Sequence, residues 1–328
     1  VTGVQTCALP IFQAARQKFV MEGDVLDVDL ETTTPGGVKV VKTLSFKRGS
    51  YVIQVSYRIA NETTAKLAVH AYFQLLRDGK PPVGDSSMVP TYTGVAVYTD
   101  KEKFQKVAFG DLDKNKASHE RAAQDGWIAM LQHYFLTAIL PAQQAPREYY
   151  TKRLESGLYT AGVILPLAEL APGTSGSAGL SFYAGPQEQD KLSQLAPGLD
   201  LSVDYGWLTV IAKPLFWVLQ EIHKMVANWG YAIIILTVII KLLFFPLSAA
   251  SYKSMARMRL IAPRLQRLKE QYGDDRQRMH QAMMDLYKTE KINPLGGCLP
   301  IVVQIPVFIA LYWVLLGSVE LRHAPFIL

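Results

Sequence analysis

The chain has 328 residues, of which 49% are hydrophobic and 19% charged, with a formal net charge of +6. That length allows more than one domain, and the apolar content with a basic balance fits a soluble part joined to a membrane part rather than a purely soluble protein. Cys7 sits in the N-terminal leader and Cys298 at the start of an apolar run. This placement argues against a structural disulfide, and no metal-ligand or CxxC spacing is present.

Residues 1–15 are read as an unassigned leader. Val1 is not an initiator methionine, and the apolar stretch 7–12 is too short to span and has no basic region before it. We treat it as a fragment end, a candidate for foreign sequence, with no function attached. Residues 16–203 are β-rich. VKVVKTLSF and YVIQVSYRIA are β-branched and aromatic runs parted by the turn signal KRGS, and similar runs recur at GVAVYT, LESGLYTAGVILPL and AGLSFYAG. TTTPGG, KPPVGDSS and LAPGTSGS punctuate them. Many short strands without alternating long helices predict an antiparallel sandwich. WIAMLQHYFLTAIL stays open between two buried strands and a helix, because its period does not separate them.

Residues 204–228 change character. Trp207, Leu208, Ile211, Leu215, Phe216, Leu219, Ile222 and Val226 fall at helical spacing, with Lys213, Glu221, His223 and Lys224 between them. The pattern predicts an amphipathic helix in the membrane interface, with Trp207, Trp217 and Trp229 at headgroup level. A helix packed on the β domain is the alternative. Pro214 predicts a break or a helix start.

Residues 229–251 carry a single formal charge, Lys241, and reach about 30 Å as a helix, enough to cross a bilayer. A lysine near mid-span costs about 2.5–3.5 kcal/mol on translocon-type scales, so something should offset it. Thr237, Lys241 and Ser248 fall within about 40° of one another on a helix and form one polar stripe. We expect a polar cavity there, against the alternative of a lysine that snorkels towards the interface. Residues 295–317 form a second span after the punctuation NPLGG. Gln304 is the polar group inside it, and Pro300 and Pro306 should distort its helix. Neither span contains an acidic residue to neutralise Lys241.

Between the spans, residues 252–294 hold ten basic against five acidic residues, a net +5. The positive-inside rule places this loop in the cytoplasm and the β domain outside, which implies an upstream signal or span. The loop reads as a helical hairpin. Met255, Met258, Leu265 and Leu268 mark one apolar face, Tyr272 and Gly273 a stop, and Asp274 with Gln277 a capping-box start for a helix bearing Met279, Met283, Met284, Leu286 and Tyr287. The methionines suit either an adaptable contact surface or the seam of the hairpin. The basic residues read first as topology signal and anionic-lipid contact. Ribosome contact is the sharper alternative, and no specific nucleic acid is implied.

LDLSVDYGWL, NWGYAIIILTVIIKLLFFPLSAASYKSMARMR, GDDRQRMHQAMMDLYKTEKINPLGGCLP and GSVELRHAPF together resemble the YidC membrane protein insertase family of Gram-negative bacteria. The likeness is looser in the β region, where FKRG and the order of elements agree. It implies a mixed fold, with an extracytoplasmic antiparallel β-supersandwich joined to an α-helical transmembrane insertase core. It also implies a fragment lacking the first span and everything beyond the third, so that residues 318–328 begin a periplasmic loop. The implied activity is that of an insertase and chaperone of the inner membrane, without cofactor, whose partners are nascent membrane proteins, the Sec translocon and its accessory subunits. By the same resemblance Lys241, Thr237, Ser248 and Gln304 line a hydrophilic groove, although many family members carry arginine where Lys241 stands. Ile305, Phe308 and Tyr312 form the face along which a client's apolar segment slides, and Met255, Met258, Met279, Met283 and Met284 belong to a receiving hairpin.

Three other functions stand as alternatives. Half of a transporter or channel would use Lys241 for an anionic substrate, and a tethered binding module would use the sandwich for a sugar or peptide. An intramembrane protease has little behind it, because neither span contains histidine and the serines near Ser248 lack a base. No P-loop, GxSxG or HExxH pattern occurs.

Overall fold

The computed structural model describes residues 11–34, 36–82, 91–273, 275–290 and 299–326. Cys7, Cys298, Asp274 and the NPLGG punctuation lie outside them. The chain divides into two compact units, Val1–Asp204 with Gly317–Val319, and Tyr205–Leu316 with Glu320–Leu328.

In the first unit the strands are β1 (Gln13–Ala14), β2 (Val25–Thr33), β3 (Val38–Lys47), β4 (Val52–Asn61), β5 (His70–Arg77), β6 (Gly94–Thr99) and β7 (Lys103–Val107). After the short helix α1 (Phe109–Asp113) come β8 (Ala122–Ala123), β9 (Trp127–Gln132), β10 (Phe135–Pro141), β11 (Arg147–Arg153), β12 (Tyr159–Pro166) and β13 (Ser175–Pro186), then helix α2 (Gln189–Leu195). They form a nine-stranded sheet in the order β1-β2-β3-β4-β13-β10-β9-β6-β7 and a four-stranded sheet in the order β5-β12-β11-β8. Every pairing in them is antiparallel. The expected antiparallel sandwich is present.

Burial on two faces explains the segment whose period was ambiguous. WIAMLQHYFLTAIL is the β9–β10 hairpin, with Ala138 opposite Ala129. Ile128 and Met130 point towards the second sheet and share a core with Phe73 and Val163. Trp127, Ala129 and Leu131 point the other way, into a core with Leu192 of α2 and Leu199 beyond it. A strand covered on both sides needs apolar residues at every position, so the alternation that marks a strand is lost. Towards the edge of the sheet β2 restores it, with Leu26, Val28 and Leu30 half-buried between exposed Asp27, Asp29 and Glu31.

One buried cation ties the loops at the end of β9 and β10. Arg147, 4% exposed, donates to the carbonyls of Gly126 at 3.2 Å and Gln124 at 2.9 Å, to Ala145 at 3.0 Å, and to Ala142. Gly126 has φ +83°, and a Cβ there would lie 1.8 Å from the Tyr98 carbonyl oxygen, so the turn that presents its carbonyl to Arg147 requires glycine.

The second unit is helical: α3 (Thr209–Val226), α4 (Trp229–Gln271), α5 (Arg276–Thr289) and α6 (Leu299–Gly317). Helix α3 packs against α4, burying Ala212, Phe216, Leu219 and Ile222 and leaving Val210, Trp217 and Met225 exposed, as is Trp207 in the turn before it. Pro214 neither breaks nor starts α3, contrary to expectation; it lies within the helix, one turn after Val210. Ala227 closes α3 in the left-handed region, its N–H bonding His223 at 2.7 Å, and Asn228 opens α4 by accepting from the Tyr231 N–H at 3.1 Å. The ring of His223 stacks on Trp229, with centroids 3.8 Å apart and planes 4° from parallel.

Helix α4 carries the apolar stretch 229–251 on into the basic segment that follows it. Its 43 residues run through Pro246 and Pro263 without a stop, a length of about 65 Å. The hydropathy boundary near residue 251 marks a change of side-chain polarity, to which backbone hydrogen bonding is indifferent. Beyond that boundary Ser251 and Ile261 are buried, and Ser254, Met258, Leu265 and Leu268 half-buried, at alternating spacings of three and four. Helix α5 returns beside it. Its N-cap is Asp275, whose side chain accepts from the Arg278 N–H at 3.1 Å, one residue later than the expected Asp274. Arg264 pairs with Glu290 between the two helices.

Candidate functional site

Two helices long and apolar enough to cross a membrane supply the candidate site, α4 and Pro300–Gly317 within α6. Only 17% and 22% of their most apolar windows are buried, which separates them from the core helices of a soluble protein. Around Lys241 on α4, Val238, Leu242, Leu243 and Phe245 are all exposed. A surface this apolar needs covering by lipid or protein.

Lys241 is itself exposed, while Thr237 and Ser248 are half-buried. The Thr237 hydroxyl donates to the Ile233 carbonyl at 2.8 Å, one turn back, which satisfies its proton within the helix and leaves its oxygen as an acceptor. The ammonium of Lys241 stands 5.0 Å from the centre of the Phe308 ring on α6, within the range in which a cation is drawn to an aromatic face. Among the described residues no ion pair to Lys241 is formed. Of the polar stripe, Lys241 is thus the residue that meets an aromatic ring.

Phe308 belongs to a second feature. Gln304, Phe308 and Tyr312 form one row along α6 at intervals of four, and Ile301, Ile305 and Ile309 form the next. Adjacent rows of this kind leave a furrow between their side chains, and these six line a groove of about 350 Å³. Ile301, Ile305, Ile309 and Tyr312 are exposed, Gln304 and Phe308 half-buried. The opposite face of α6 buries Ala310, Leu311 and Val314. Gln304, Ile305, Phe308 and Tyr312 are thus brought together, with Lys241 reaching the same place through Phe308.

The five hairpin methionines differ in burial. Met258, Met279 and Met283 are half-buried, whereas Met255 is 43% and Met284 51% exposed. No cluster of three or more metal-ligating side chains occurs among the described residues.

Sequence reasoning missed a tether at the start of α4. The Asn228 side-chain amide donates to the carbonyl of Phe326 at 3.0 Å and of Pro325 at 3.4 Å. The Phe326 ring meets Tyr231 edge-on, centroids 5.6 Å apart, and fills the space that a side chain on Gly230 would need, 1.8 Å from its Cδ2. The NWGY motif was the available signal, since an N-cap Asn followed by glycine marks a place where another segment can approach closely.

Two family models match, the YidC periplasmic domain over residues 2–218 and the 60Kd inner membrane protein over residues 221–328. The chain belongs to the YidC family. Among curated relatives, the membrane protein insertase YidC of Nitrosospira multiformis is 61% identical over 305 residues, covering 93% of this chain and 54% of the relative. That of Dechloromonas aromatica is 58% identical over 306 residues, covering 93% and 56%. The chain spans about half the length of the curated relatives it matches. Its β-sandwich is the YidC periplasmic domain, and its helical unit is of the inner-membrane type. A galactose mutarotase related enzyme of Lactobacillus acidophilus aligns with 53% of this chain and 70% of its own at 8% identity and a TM-score of 0.36. A likeness that slight carries no argument about sugar binding in a YidC-family sandwich.

Proposed function

We propose that this chain is part of a membrane protein insertase and chaperone that places nascent membrane proteins in the bacterial inner membrane, with or without the Sec translocon. In this reading residues 16–228 are periplasmic, 229–251 and 295–317 cross the membrane, and 252–294 form a cytoplasmic hairpin that receives clients. The periplasmic domain meets Sec accessory subunits.

A client's short polar tail enters beside Lys241, Thr237, Ser248 and Gln304 and crosses only part of the hydrocarbon while hydrated. An acidic tail gains from Lys241: at about 4 Å and an effective dielectric near 20 the attraction is about 4 kcal/mol, comparable with the cost of holding the lysine in the span. The client's apolar segment packs in the furrow of α6, around Ile305, Phe308 and Tyr312, before it partitions into lipid. Apolar burial at about 25 cal/mol per Å² supplies the drive, without a nucleotide.

The observation that carries this reading is an exposed ammonium on an apolar helix, placed beside an apolar furrow and unpaired with any carboxylate among the described residues. The test is a photocrosslinker at position 304 or 305 of the full-length protein, presented with stalled nascent chains. Adducts to the client's apolar segment are expected. Their absence for a client whose insertion requires the protein would overturn the reading.

A further inference from the structure

Lys241 and the furrow of α6 share one residue, and that sharing has a chemical consequence. The Phe308 ring lies 5.0 Å from the ammonium and also sits in the middle of the furrow, one turn from both Gln304 and Tyr312. The electron-rich face of the ring is the partner of Lys241, no carboxylate among the described residues pairing with it. A segment seated in the furrow must press on this same ring.

We infer that Phe308 is a positioning residue that holds the Lys241 ammonium at rest and surrenders it to an acidic tail when an apolar segment occupies the furrow. The inference rests on the insertase reading and deepens it. The ring and the incoming carboxylate compete for one cation, so the strength of the ring's hold sets how strongly client charge is felt. A cation–aromatic contact is weaker than a close ion pair, which lets the carboxylate win. A client with an apolar segment but no acidic residue would displace the ring without gaining the ion pair. An acidic peptide with no apolar segment would meet the ring still in place and would have to displace it unaided. The furrow and the cation then act together on clients that carry both features, and Phe308 joins them.

The test weakens the ring's electrostatics while nearly keeping its shape. Full-length protein carrying mono-, di- and trifluorinated phenylalanine at position 308 is assayed for insertion of two clients that differ only in an acidic or a neutral tail. The ratio of acidic-tail to neutral-tail insertion is expected to rise along the series, by about three-fold at trifluorophenylalanine, the scale of an exposed cation–aromatic contact. The rise should vanish in Lys241→Gln. A flat ratio, or a rise that survives Lys241→Gln, overturns the inference.

A second readout does not depend on insertion. Acylation of the Lys241 amine by a small reagent, followed by mass spectrometry in lipid nanodiscs, should quicken along the same series. Quickened acylation with both clients uninserted at every step would count against the insertase reading and leave the contact standing. Unchanged acylation with normal insertion would remove the contact and leave the insertase reading standing.

Discussion

Asn228 faces two ways: its side-chain oxygen accepts from the Tyr231 N–H at 3.1 Å, and its amide nitrogen donates to the Phe326 carbonyl at 3.0 Å. One residue thus caps α4 and ties its first turn to the segment after α6. Asn228→Ala should remove both functions and lower stability by about 2 kcal/mol, about 1 for the cap and 1 for the tether. Asn228→Asp keeps the acceptor and loses the donor, so it should retain the cap and release residues 325–326. Hydrogen exchange of the full chain in detergent separates the two, with Tyr231 exposed to exchange only in Asn228→Ala. Equal exchange of Tyr231 in both variants would deny that the cap and the tether are separable.

The guanidinium of Arg147 is buried with its donors on the carbonyls of two loops. Arg147→Met keeps the length of the side chain but strands those carbonyls, and should destabilise the sandwich by about 3 kcal/mol. Chemical denaturation followed by Trp127 fluorescence reads the effect, because Trp127 lies in the adjoining core. A change below about 1 kcal/mol would mean that water replaces the guanidinium without strain.

Burial pushes the Tyr149 phenol up to about 12, against a lowering by the Arg147 guanidinium. Its hydroxyl donates to the Asp125 carbonyl at 2.9 Å. The unfolded phenol ionises near 10, so between about pH 10 and 12 the unfolded chain loses a proton that the folded chain keeps. Stability is therefore full below about pH 10 and declines as pH rises through that window, by about 3 kcal/mol from this group. Tyr149→Phe should flatten this part of the alkaline limb in a denaturation series from pH 9 to 12. An unchanged limb would assign the decline to other phenols, Tyr183 among them, which burial also pushes up to about 12.

Much of the sandwich was legible because outlying strands such as β2 alternate, and the helices were legible from their length and apolar runs. What escaped detection was tertiary. The β9–β10 hairpin looked ambiguous because a sheet covered on both faces erases the period of two. The unbroken run of α4 from Trp229 to Gln271 could not be read off the pattern, because a change from apolar to basic side chains at residue 251 says nothing of the backbone. Asp274 and Asp275 are adjacent and chemically equivalent as caps, so their order could not be read. The groove residues on α6 share a face at helical spacing and were visible as a set, yet nothing local announces that Phe308 meets a lysine 67 positions earlier or that Phe326 meets Asn228.

The measurement closest to the central claim compares Lys241→Glu with Lys241→Arg in the full-length protein, using a protease-protection assay of a client with an acidic tail. If the charge beside the furrow draws the tail in, Arg preserves insertion, since it keeps the positive charge, and Glu reduces it by about ten-fold or more, the repulsion exceeding 1.4 kcal/mol at this separation. Equal insertion by the two variants would contradict the account.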